Sequence, residues 1–546
     1  MTIRKMRIYN FKCFYGEFIL EFNEGINILV GNNESGKSTI LEAINLALTG
    51  LYNGRNVKTE LSQYMFNNQI VLDYINSISK GEKVFPPSII IELYFSEGFC
   101  PLFEGNGNTE RTKAEGLVFK IEYNEKYNDE YESLITTHDM LSLPIEYYDI
   151  VWESFARQAI SSKGIPLKCA MIDSTSSRFH NGSDVYISRI VKDLLDPEDI
   201  THVAQAHRKM KENFMKDNSI SEINKKINSQ PSITRKKIEL SVELGTKNAW
   251  ESSLITQLDY IPFNNIGKGE QCIVKTELAL SHKKAQEANI ILLEEPESHL
   301  SHTKLNQLIS AIEAKYKEKQ IIVSTHNSYV ANKLGLDNII LLNQQKAIRF
   351  SNLRSNEFFK KIAGYDTLRL ILCRRAILVE GDSDELIIQR AYMDLHDGKL
   401  PIQDEIDVIS VGTSFLRFLE IADLLCKPVT VVTDNDGDID AINRKYANYI
   451  GENKKPYVKI CVDPVVDIGN LVIGKQAYNY NTLEPKLLKA NSPESINQVL
   501  GTSYTEVDDL LKHMKHEKTE SALKIFMSSD KINYPDYIMD AIKDYE

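Results

Sequence analysis

A glycine-rich segment near the start of the sequence has the residue types that hold the phosphates of a nucleoside triphosphate. Residues 31–38, Gly-Asn-Asn-Glu-Ser-Gly-Lys-Ser, match the pattern G-x-x-x-x-G-K-[ST] in full. An apolar predicted strand at 26–30 precedes the segment, and residues 38–48 follow it with helical spacing. This context indicates a phosphate-binding loop for ATP, in which Lys37 reaches the β and γ phosphates and Ser38 holds Mg²⁺. The other expected nucleotide contacts are Asn32, Asn33, Gly36 and Thr39.

An apolar strand that ends in two acids supplies the carboxylates that such a loop needs. Residues 290–295 read Ile-Ile-Leu-Leu-Glu-Glu. We expect Glu294 to reach the metal of the nucleotide and Glu295 to polarise the attacking water. Glu294 stands where an aspartate is usual, and its extra methylene moves the carboxylate by roughly 1.5 Å. This difference favours nucleotide binding over fast hydrolysis, so ATP hydrolysis is expected to be weak.

Two shorter segments point to the same class of site. Residues 267–271, Gly-Lys-Gly-Glu-Gln, form a glycine-rich turn before a helical run, and such a turn can bind the γ-phosphate of a nucleotide held by another subunit. Taken alone, the turn is also compatible with an ordinary loop. Residues 321–326 form a predicted strand that ends in His326, where a sensor of the γ-phosphate would lie.

A second group of acids lies in the C-terminal part of the sequence. Residues 376–385 read as an apolar strand, a glycine turn and acids leading into a helix, and residues 428–438 read as a β-branched strand followed by acids. The carboxyl ends of parallel strands meet at one edge of a sheet, which would bring Glu380, Asp434 and Asp436 together. Carboxylates this close are tolerated best around a divalent cation, and all-oxygen ligation favours Mg²⁺ or Mn²⁺ over zinc.

Three further acids flank this predicted metal site. Glu385 comes five residues after Glu380, on the expected first turn of the following helix, and is predicted to lean back to the site. Asp438 and Asp440 are either additional members of the site or part of a solvated loop.

The motifs of the N-terminal part, in their order, resemble the ABC ATPases of chromosome maintenance and DNA repair. The resemblance implies that Gly269 and Gln271 act in trans on the nucleotide of a second protomer and that His326 is the switch residue. It also implies that residues 297–300 form the loop between the two ATP sites. The glutamine that this group places after its first β-lobe could be Gln63 or Gln158.

The second acidic set resembles the Toprim domain, and the two modules on one chain resemble the OLD (overcoming lysogenisation defect) nuclease family. The resemblance implies that Glu484 contributes to a second metal and that Lys518 stabilises the transition state, with Lys515 as the alternative. It further implies endonucleolytic cleavage of DNA by two cations about 3.5–4 Å apart, gated by the ATPase. Members act in antiviral defence, alone, with a helicase in Gabija systems, or with a retron reverse transcriptase and its DNA–RNA.

The elements that would position these residues divide the chain into four parts. We predict an α/β fold: an ABC-type ATPase in two parts, 1–155 and 246–350, a helical insertion for dimerisation at 156–245, and a Toprim domain at 351–546. The use of Gly269 and Gln271 in trans implies at least a homodimer, and the family resemblance extends this to a homotetramer.

Composition narrows the class further. The chain of 546 residues has a net charge of −12, so it is not coated for nonspecific nucleic-acid binding. Its seven cysteines form no C-x-x-C pair, and its N-terminus lacks the apolar run of a signal peptide, so we expect a cytoplasmic protein without a membrane segment. The alternative functions are a DNA-repair ATPase in which Toprim is a binding scaffold, and a primase- or topoisomerase-like enzyme.

Overall fold

Two units make up the computed structural model, Met1–His326 with Asn338–Arg349, and Asn327–Asp337 with Phe350–Glu546. The second unit thus includes Asn327–Asp337, which the sequence analysis had assigned to the ATPase. The structure describes residues 1–137, 140–173, 179–180, 183–184, 195–229, 239–242, 257–271, 273–274, 288–298, 300–315, 318–343, 346–350, 353–362 and 364–543.

An antiparallel sheet forms one layer of the first unit. The strands Ile3–Tyr9, Ile89–Phe95 and Ala114–Tyr123 are its central members, since alternate side chains of each strand pack into one core. The strand Tyr148–Ser154 pairs with Ala114–Tyr123 beside them. In spatial order the other strands are Glu17–Glu21, Ile3–Tyr9, Ile89–Phe95, Ala114–Tyr123 and Glu104–Gly105.

A second sheet of the first unit carries the phosphate-binding loop and is called the nucleotide sheet below. Its strands are nearly continuous apolar runs, which is typical of parallel strands buried on both faces. Cys169–Asp173 lies inside the predicted helical insertion, yet it pairs in parallel with Ile290–Glu294 and is a strand of this sheet. The spatial order is Cys169–Asp173, Ile290–Glu294, Gln320–Ser324, Ile26–Gly31, Ile339–Asn343 and, antiparallel at the edge, Lys346–Arg349.

One helix of the first unit packs against strands of both sheets. Lys37–Thr49 is the helix predicted after the phosphate-binding loop, and its apolar side chains lie in the main core. The segment 230–238 of the predicted helical insertion lies outside the described residues. Among the residues of this unit that the structure describes, the other helices are Val57–Glu60, Asn68–Ser79, Asn128–Thr137, Pro197–Met215, Asn218–Asn228 and His302–Lys315.

A four-stranded parallel sheet is the centre of the second unit. Its spatial order is Ile406–Ser410, Arg375–Val379, Val429–Val432 and Val458–Cys461. A small hairpin, Val472–Ile473 with Gln476–Ala477, follows the sheet. The helices of this unit are Ser328–Leu334, Asn356–Lys361, Thr367–Leu372, Asp382–Leu395, Phe415–Leu425, Ile439–Lys445, Leu483–Ala490, Pro493–Leu500, Val507–His516, Lys518–Met527 and Asp536–Ile542.

The core of the second unit explains how distant segments come to share one sheet edge. Side chains from the central strand, from the helix that follows it and from the C-terminal helices form one apolar cluster. Ile377, Ile496 and Ile538 are completely buried in it. The helices that carry Glu484 and Lys518 are therefore fixed next to the strands that carry Glu380 and Asp434. Among the described residues, no helix is both long and apolar enough to cross a membrane.

Candidate nucleotide site and candidate metal-dependent active site

The phosphate-binding loop turns sharply between the strand Ile26–Gly31 and the helix Lys37–Thr49. Gly36 has a φ of +97°, a left-handed conformation that glycine adopts without a steric penalty. A Cβ at this position would lie 2.6 Å from Cζ of Phe14, so glycine is needed for space as well. The turn leaves Asn32, Asn33 and Ser38 exposed at the mouth of the loop, while Thr39 is buried beneath it.

Lys37 is folded into the loop. Its Nζ donates hydrogen bonds to the carbonyl oxygens of Gly31 and Asn32, both at 3.0 Å. Burial lowers the pKa of Lys37, and the charge of Glu295 opposes that shift. The ammonium group therefore already occupies the concave side of the loop, where phosphate oxygens could join the carbonyls as its partners.

The acidic strand and the strand ending in His326 bring their last residues to the same place. Glu294 ends the strand Ile290–Glu294 and pairs in register with Ser324. Nε2 of His326 lies 3.8 Å from Oε1 of Glu295. Burial, followed by the charge of Lys37, lowers the pKa of His326, whereas Glu295 raises it. The structure thus places Lys37, Glu295 and His326 around one site, as the sequence predicted.

Glu297 has a position that the sequence did not reveal. Its Oε1 accepts hydrogen bonds from Oγ1 of Thr325 at 2.6 Å and from the backbone N–H of His326 at 2.9 Å. Burial raises the pKa of this carboxyl. Glu297 therefore fixes the backbone that carries His326. Residues 297 and 326 are far apart in sequence. They meet because the strands that precede them, Ile290–Glu294 and Gln320–Ser324, lie side by side.

The glycine-rich turn and the two candidate glutamines are less informative. Gln271 is buried, and its Nε2 donates to the carbonyl of Ile266 at 2.8 Å, which closes the turn that contains Gly269. Oε1 of Gln63 accepts from the backbone N–H of Leu143 at 3.0 Å. The side chain of Gln158 is exposed. These contacts leave both glutamines as candidates, and they leave the role of the turn in trans as a prediction.

In the second unit, two neighbouring strands end in carboxylates. Ala376, Ile377 and Leu378 pair in parallel with Val429, Thr430 and Val431, so both strands finish at the same edge. Glu380 follows the first strand directly, and Asp434 comes two residues after the end of the second.

Asp384 belongs to this edge. Its carboxylate accepts a hydrogen bond from the backbone N–H of Gly381 at 3.0 Å. Burial, together with the charges of Glu380 and Glu484, raises the pKa of Asp384 to about 6, although Gly381 and Lys518 oppose that rise. We call Glu380, Asp384, Asp434 and Glu484 the carboxylate cluster.

The members of the carboxylate cluster repel each other electrostatically. The pKa of Asp434 is raised to about 8. Burial is the largest cause of this rise, and the charges of Asp384, Glu484, Glu380 and Asp436 raise the pKa further. Such mutual repulsion is relieved by a bound cation. Within the described residues, no three Asp, Glu, His or Cys side chains converge closely enough to hold an ion as they stand. The donor set suits Mg²⁺ or Mn²⁺, and its carboxylates would have to rotate inward to bind one.

Glu484 and Lys518 join the cluster as the resemblance implied. Glu484 is buried, and its Oε1 lies 3.1 Å from Nζ of Lys518. Its Oε2 accepts a hydrogen bond from Oγ1 of Thr482 at 3.0 Å. Burial alone would lower the pKa of Lys518, but Glu484 and the other carboxylates raise it overall. Lys515 instead lies over the ring of Tyr478, 5.3 Å from its centroid.

The structure does not bring Glu385 into the cluster. Its Oε1 accepts from Nε2 of Gln389 at 3.2 Å and lies 4.0 Å from Nη2 of Arg369, which is itself paired with Asp407. Successive residues of a helix are rotated by about 100°, so the side chains of residues 384 and 385 leave the helix in different directions. Asp384 occupies the position that the sequence analysis had given to Glu385.

The remaining acids lie at the edge of the site. Asp436 is exposed, with a φ of +49°, and its Oδ1 accepts from Nδ2 of Asn479 at 2.9 Å. Asp438 caps the helix Ile439–Lys445 by accepting from the backbone N–H of Ala441 at 2.8 Å. Asp440 is exposed on the first turn of that helix. Asp438 and Asp440 are therefore solvated acids at the start of this helix and not members of the site, which differs from the predicted loop only in that Asp440 is helical.

Comparison with known proteins agrees with this division. Residues 1–331 match the family model described as AAA ATPase domain, and residues 371–436 match the one described as overcoming lysogenization defect protein-like, TOPRIM domain. The first match covers more than half of the chain. The second ends at Asp436 and includes three members of the carboxylate cluster.

Two curated proteins are similar over short segments. The DNA replication and repair protein RecF of Streptococcus uberis is 41% identical over 80 residues, which are 14% of this chain and 21% of RecF. The DNA double-strand break repair Rad50 ATPase of Pyrococcus abyssi is 44% identical over 52 residues, which are 10% of this chain and 6% of Rad50. The chain thus spans about a fifth or less of the length of these relatives.

Solved structures of SMC heads also overlap the chain. An SmcHead bound to the C-winged helix domain of ScpA has 17% identity and a TM-score of 0.31, covering 64% of this chain and 98% of its own. The SMC head domain from Thermotoga maritima has 15% identity and a TM-score of 0.28, covering 64% of this chain and 100% of its own. These scores are too low to support an argument. On the family models, the chain belongs to the AAA ATPase domain family and joins that domain to an OLD-like Toprim domain, the architecture of OLD-family proteins.

Proposed function

We propose that this chain is an ATP-binding, metal-dependent DNA endonuclease whose ABC-type ATPase module regulates cutting. The observation that carries the proposal is the carboxylate cluster next to Lys518. Four acids from three segments of the chain and one ammonium group meet at the carboxyl edge of a parallel sheet. Acids that repel each other without a cation, at the carboxyl edge of a parallel sheet, are the donor set expected of a metal-dependent phosphodiester hydrolase.

The acids have distinct tasks in this proposal. Glu380, Asp384, Asp434, Asp436 and Glu484 would hold Mg²⁺ or Mn²⁺. Such ions supply Lewis-acid stabilisation of the phosphate and a water of lowered pKa. Gly381 orients Asp384 through its N–H, and Thr482 orients Glu484 through its hydroxyl; both carboxylates would still have to rotate inward to bind an ion.

Lys518 is the residue that faces the substrate phosphate. Its side chain is 49% exposed, although its Nζ lies 3.1 Å from the buried Glu484. The neighbouring carboxylates raise the pKa of Lys518, so the group stays protonated at neutral pH. A fixed ammonium group can stabilise the negative charge that develops on the phosphate oxygens during displacement.

The ATPase module is proposed to control this site rather than to drive it. Lys37, Ser38, Glu294, Glu295 and His326 would hold the nucleotide and its Mg²⁺. Glu294 in place of an aspartate favours binding over fast turnover, which suits a sensor of nucleotide. Release of the nucleotide would then license the nuclease, which fits antiviral defence in the cytoplasm.

Assembly and partners follow from the same proposal. Gly269 and Gln271 would complete the ATP site of a second protomer, so the active form would be a homodimer or a homotetramer. Within the predicted insertion at 156–245, between the ATPase parts 1–155 and 246–350, dimerisation is assigned to the residues after the strand Cys169–Asp173, which belongs to the nucleotide sheet. Cutting is assigned to 351–546. DNA is the substrate, and a helicase or a retron reverse transcriptase with its DNA–RNA would be the partner.

The direct test is a cleavage assay. Supercoiled and linear DNA are incubated with the full chain in Mg²⁺ and in Mn²⁺, with and without ATP, and the products are separated on a gel. We expect metal-dependent cutting that changes with ATP and that disappears in Asp434→Ala. Asp440→Ala, which removes an exposed acid outside the cluster, is the matched control and should cut normally. Undiminished cutting by Asp434→Ala would refute the assignment.

A second candidate function is a DNA-repair ATPase in which the Toprim domain is a binding scaffold. The similarity of short segments to the repair proteins RecF and Rad50 favours it. A scaffold would bind DNA in the presence of ATP but would not cut it with either metal. If the chain alone is inactive, adding cell extract separates the two functions, since a missing partner restores cutting only to a nuclease.

A further inference from the structure

An exposed loop beside the carboxylate cluster carries four aliphatic side chains. We call residues 463–472, which follow the strand Val458–Cys461 and end at the first residue of the small hairpin, the apolar loop. Within it Val465 is 50% exposed, Val466 40%, Ile468 92% and Val472 56%. Exposed aliphatic side chains are common singly, but four within eight residues at the edge of a predicted catalytic site call for an explanation.

The base of the apolar loop is held by a buried lysine. Lys486 is only 3% exposed, and its Nζ lies 2.8 Å from Oδ2 of Asp463 and 2.7 Å from Oδ2 of Asp467. The same Nζ donates to the carbonyl of Val465 at 2.6 Å. Lys489 binds the other carboxylate oxygen of Asp467 at 2.6 Å. Burying a charged lysine costs free energy unless the charge is paired and hydrogen-bonded. The partners of the Lys486 ammonium group are all in the apolar loop, which indicates that the loop is held in one fixed shape.

The apolar loop is also bound to residues that flank the carboxylate cluster. Asn435, between Asp434 and Asp436, is buried and donates to the carbonyls of Asp463 at 2.7 Å and of Val465 at 3.0 Å. Asn481 exchanges two hydrogen bonds with the backbone of Asp467, at 2.7 Å and 2.9 Å. The aliphatic tips are therefore positioned by the same segments that position the acids.

Charge at the apolar loop favours a polyanion as its neighbour. Asp463 and Asp467 are both neutralised at its base by Lys486 and Lys489. Residues 463–477 contain no other acid and include the exposed Lys475. Counted together with Lys486 and Lys489, the two aspartates are fully offset and Lys475 adds a positive charge, in a chain whose net charge is −12.

We propose that the apolar loop contacts the bases of the DNA strand whose phosphate lies at the carboxylate cluster, with Ile468 inserted against or between them. The proposal rests on the nuclease function proposed above. Aliphatic wedges that part neighbouring bases are a known means of deforming DNA. A rigid loop suits this task, because little conformational entropy is lost when it inserts. Four side chains are also far fewer than the 20–30 residues that each partner contributes to a typical stable protein interface.

The experiment uses the full chain and a short DNA duplex with 2-aminopurine at single positions, in Ca²⁺ in place of Mg²⁺ so that binding is followed apart from cutting. Fluorescence of 2-aminopurine rises when a base is unstacked. We expect a rise at one position with the wild type and with Ile468→Leu. Ile468→Ser should lose that rise and bind roughly fivefold more weakly, the lower end of the effect of removing a base-stacking side chain. Ile402→Ser is the matched control, since Ile402 is 59% exposed outside the cluster and the apolar loop.

Each outcome separates the two proposals. An equal fluorescence rise with the wild type and with Ile468→Ser would overturn the role of the apolar loop and leave the nuclease intact, and so would a wild type that cuts without any rise. If light scattering gave Ile468→Ser a different molecular mass from the wild type while the DNA signals stayed the same, the loop would be a protein interface. That result would also overturn the proposed contact with DNA bases. A normal rise in a chain that cuts with neither metal would reject the nuclease alone.

Discussion

Replacing Asp434 by asparagine should stabilise the metal-free protein while it removes cutting. Burial and the charges of Asp384, Glu484, Glu380 and Asp436 raise the pKa of Asp434 from 3.8 to about 8. Between these pH values the carboxyl binds a proton in the folded chain but not in the unfolded chain. Folding stability therefore falls as the pH rises through that window, and the variant lacks this dependence.

The size of this stability change follows from the single proton that Asp434 binds in the folded chain. Each pH unit inside the window costs about 1.4 kcal/mol. Between pH 6 and pH 7.5, the metal-free wild type should lose about 2 kcal/mol of stability relative to Asp434→Asn. At pH 7, about three pH units above the ordinary carboxyl pKa, the variant should be more stable by up to about 4 kcal/mol.

Hydrogen–deuterium exchange is the suitable assay. The two tryptophans of the chain, at positions 152 and 250, are not in the sequence of the second unit, so the unit has no tryptophan fluorescence of its own. Exchange of peptides covering Val429–Val432 in EDTA gives the free energy of opening of the central sheet at each pH. Adding Mn²⁺ should protect these peptides in the wild type and not in the variant, because the ionised carboxylates gain a partner.

The matched control is Asp440→Asn, which removes an exposed acid of the following helix and should retain the pH dependence of the wild type. An equal pH slope in the wild type and in Asp434→Asn would refute the reasoning. So would a metal-free variant that is less stable than the wild type at pH 7.

Three further predictions concern both sites. Asp384→Asn should lower metal-dependent cutting at least a hundredfold, the effect of losing one electrostatic contact in a transition state. Glu385→Gln should change cutting less than threefold. If the gel assay gave the reverse order, Glu385 would be the metal ligand. Lys37→Ala should abolish ATP binding in a filter assay and make cutting insensitive to ATP; a variant that still binds ATP would contradict the loop geometry. Glu297→Ala removes the acceptor of the hydrogen bonds from the Thr325 hydroxyl and the His326 backbone N–H, which costs about 1–3 kcal/mol of stability. ATP turnover should therefore fall more than ATP affinity. An equal loss of both would show that Glu297 does not position His326.

Much of this arrangement was predictable because local patterns determine it. The loop with Gly36 and Lys37 has a pattern whose spacing is fixed by the turn it must make. Glu380 and Asp434 follow short apolar strands, and parallel pairing makes their meeting a geometric necessity. Family resemblance supplied Glu484 and Lys518, whose distance from the strands in sequence gives no local signal.

The residues that were missed depend on rotation and on long-range pairing. Choosing Asp384 over Glu385 requires the phase of a helix to within one residue, which a strand–turn–helix pattern does not define. The contact of Glu297 with His326 depends on how two strands align. Cys169–Asp173 was not predicted as a strand because its residues, Cys-Ala-Met-Ile-Asp, lack β-branched repetition and flanking turn signals.

The strand order of the nucleotide sheet also determines when this protein can fold during synthesis. Ile26–Gly31 lies between Gln320–Ser324 and Ile339–Asn343, so the strand that carries the ATP loop has no neighbour in its sheet until some 300 further residues have been made. At 5–20 residues per second, this wait lasts roughly 15–60 s. A nascent chain in that interval exposes an unpaired apolar strand, and we expect it to need a chaperone or early contacts with the antiparallel sheet. The ATP site would therefore be among the last parts of the first unit to form.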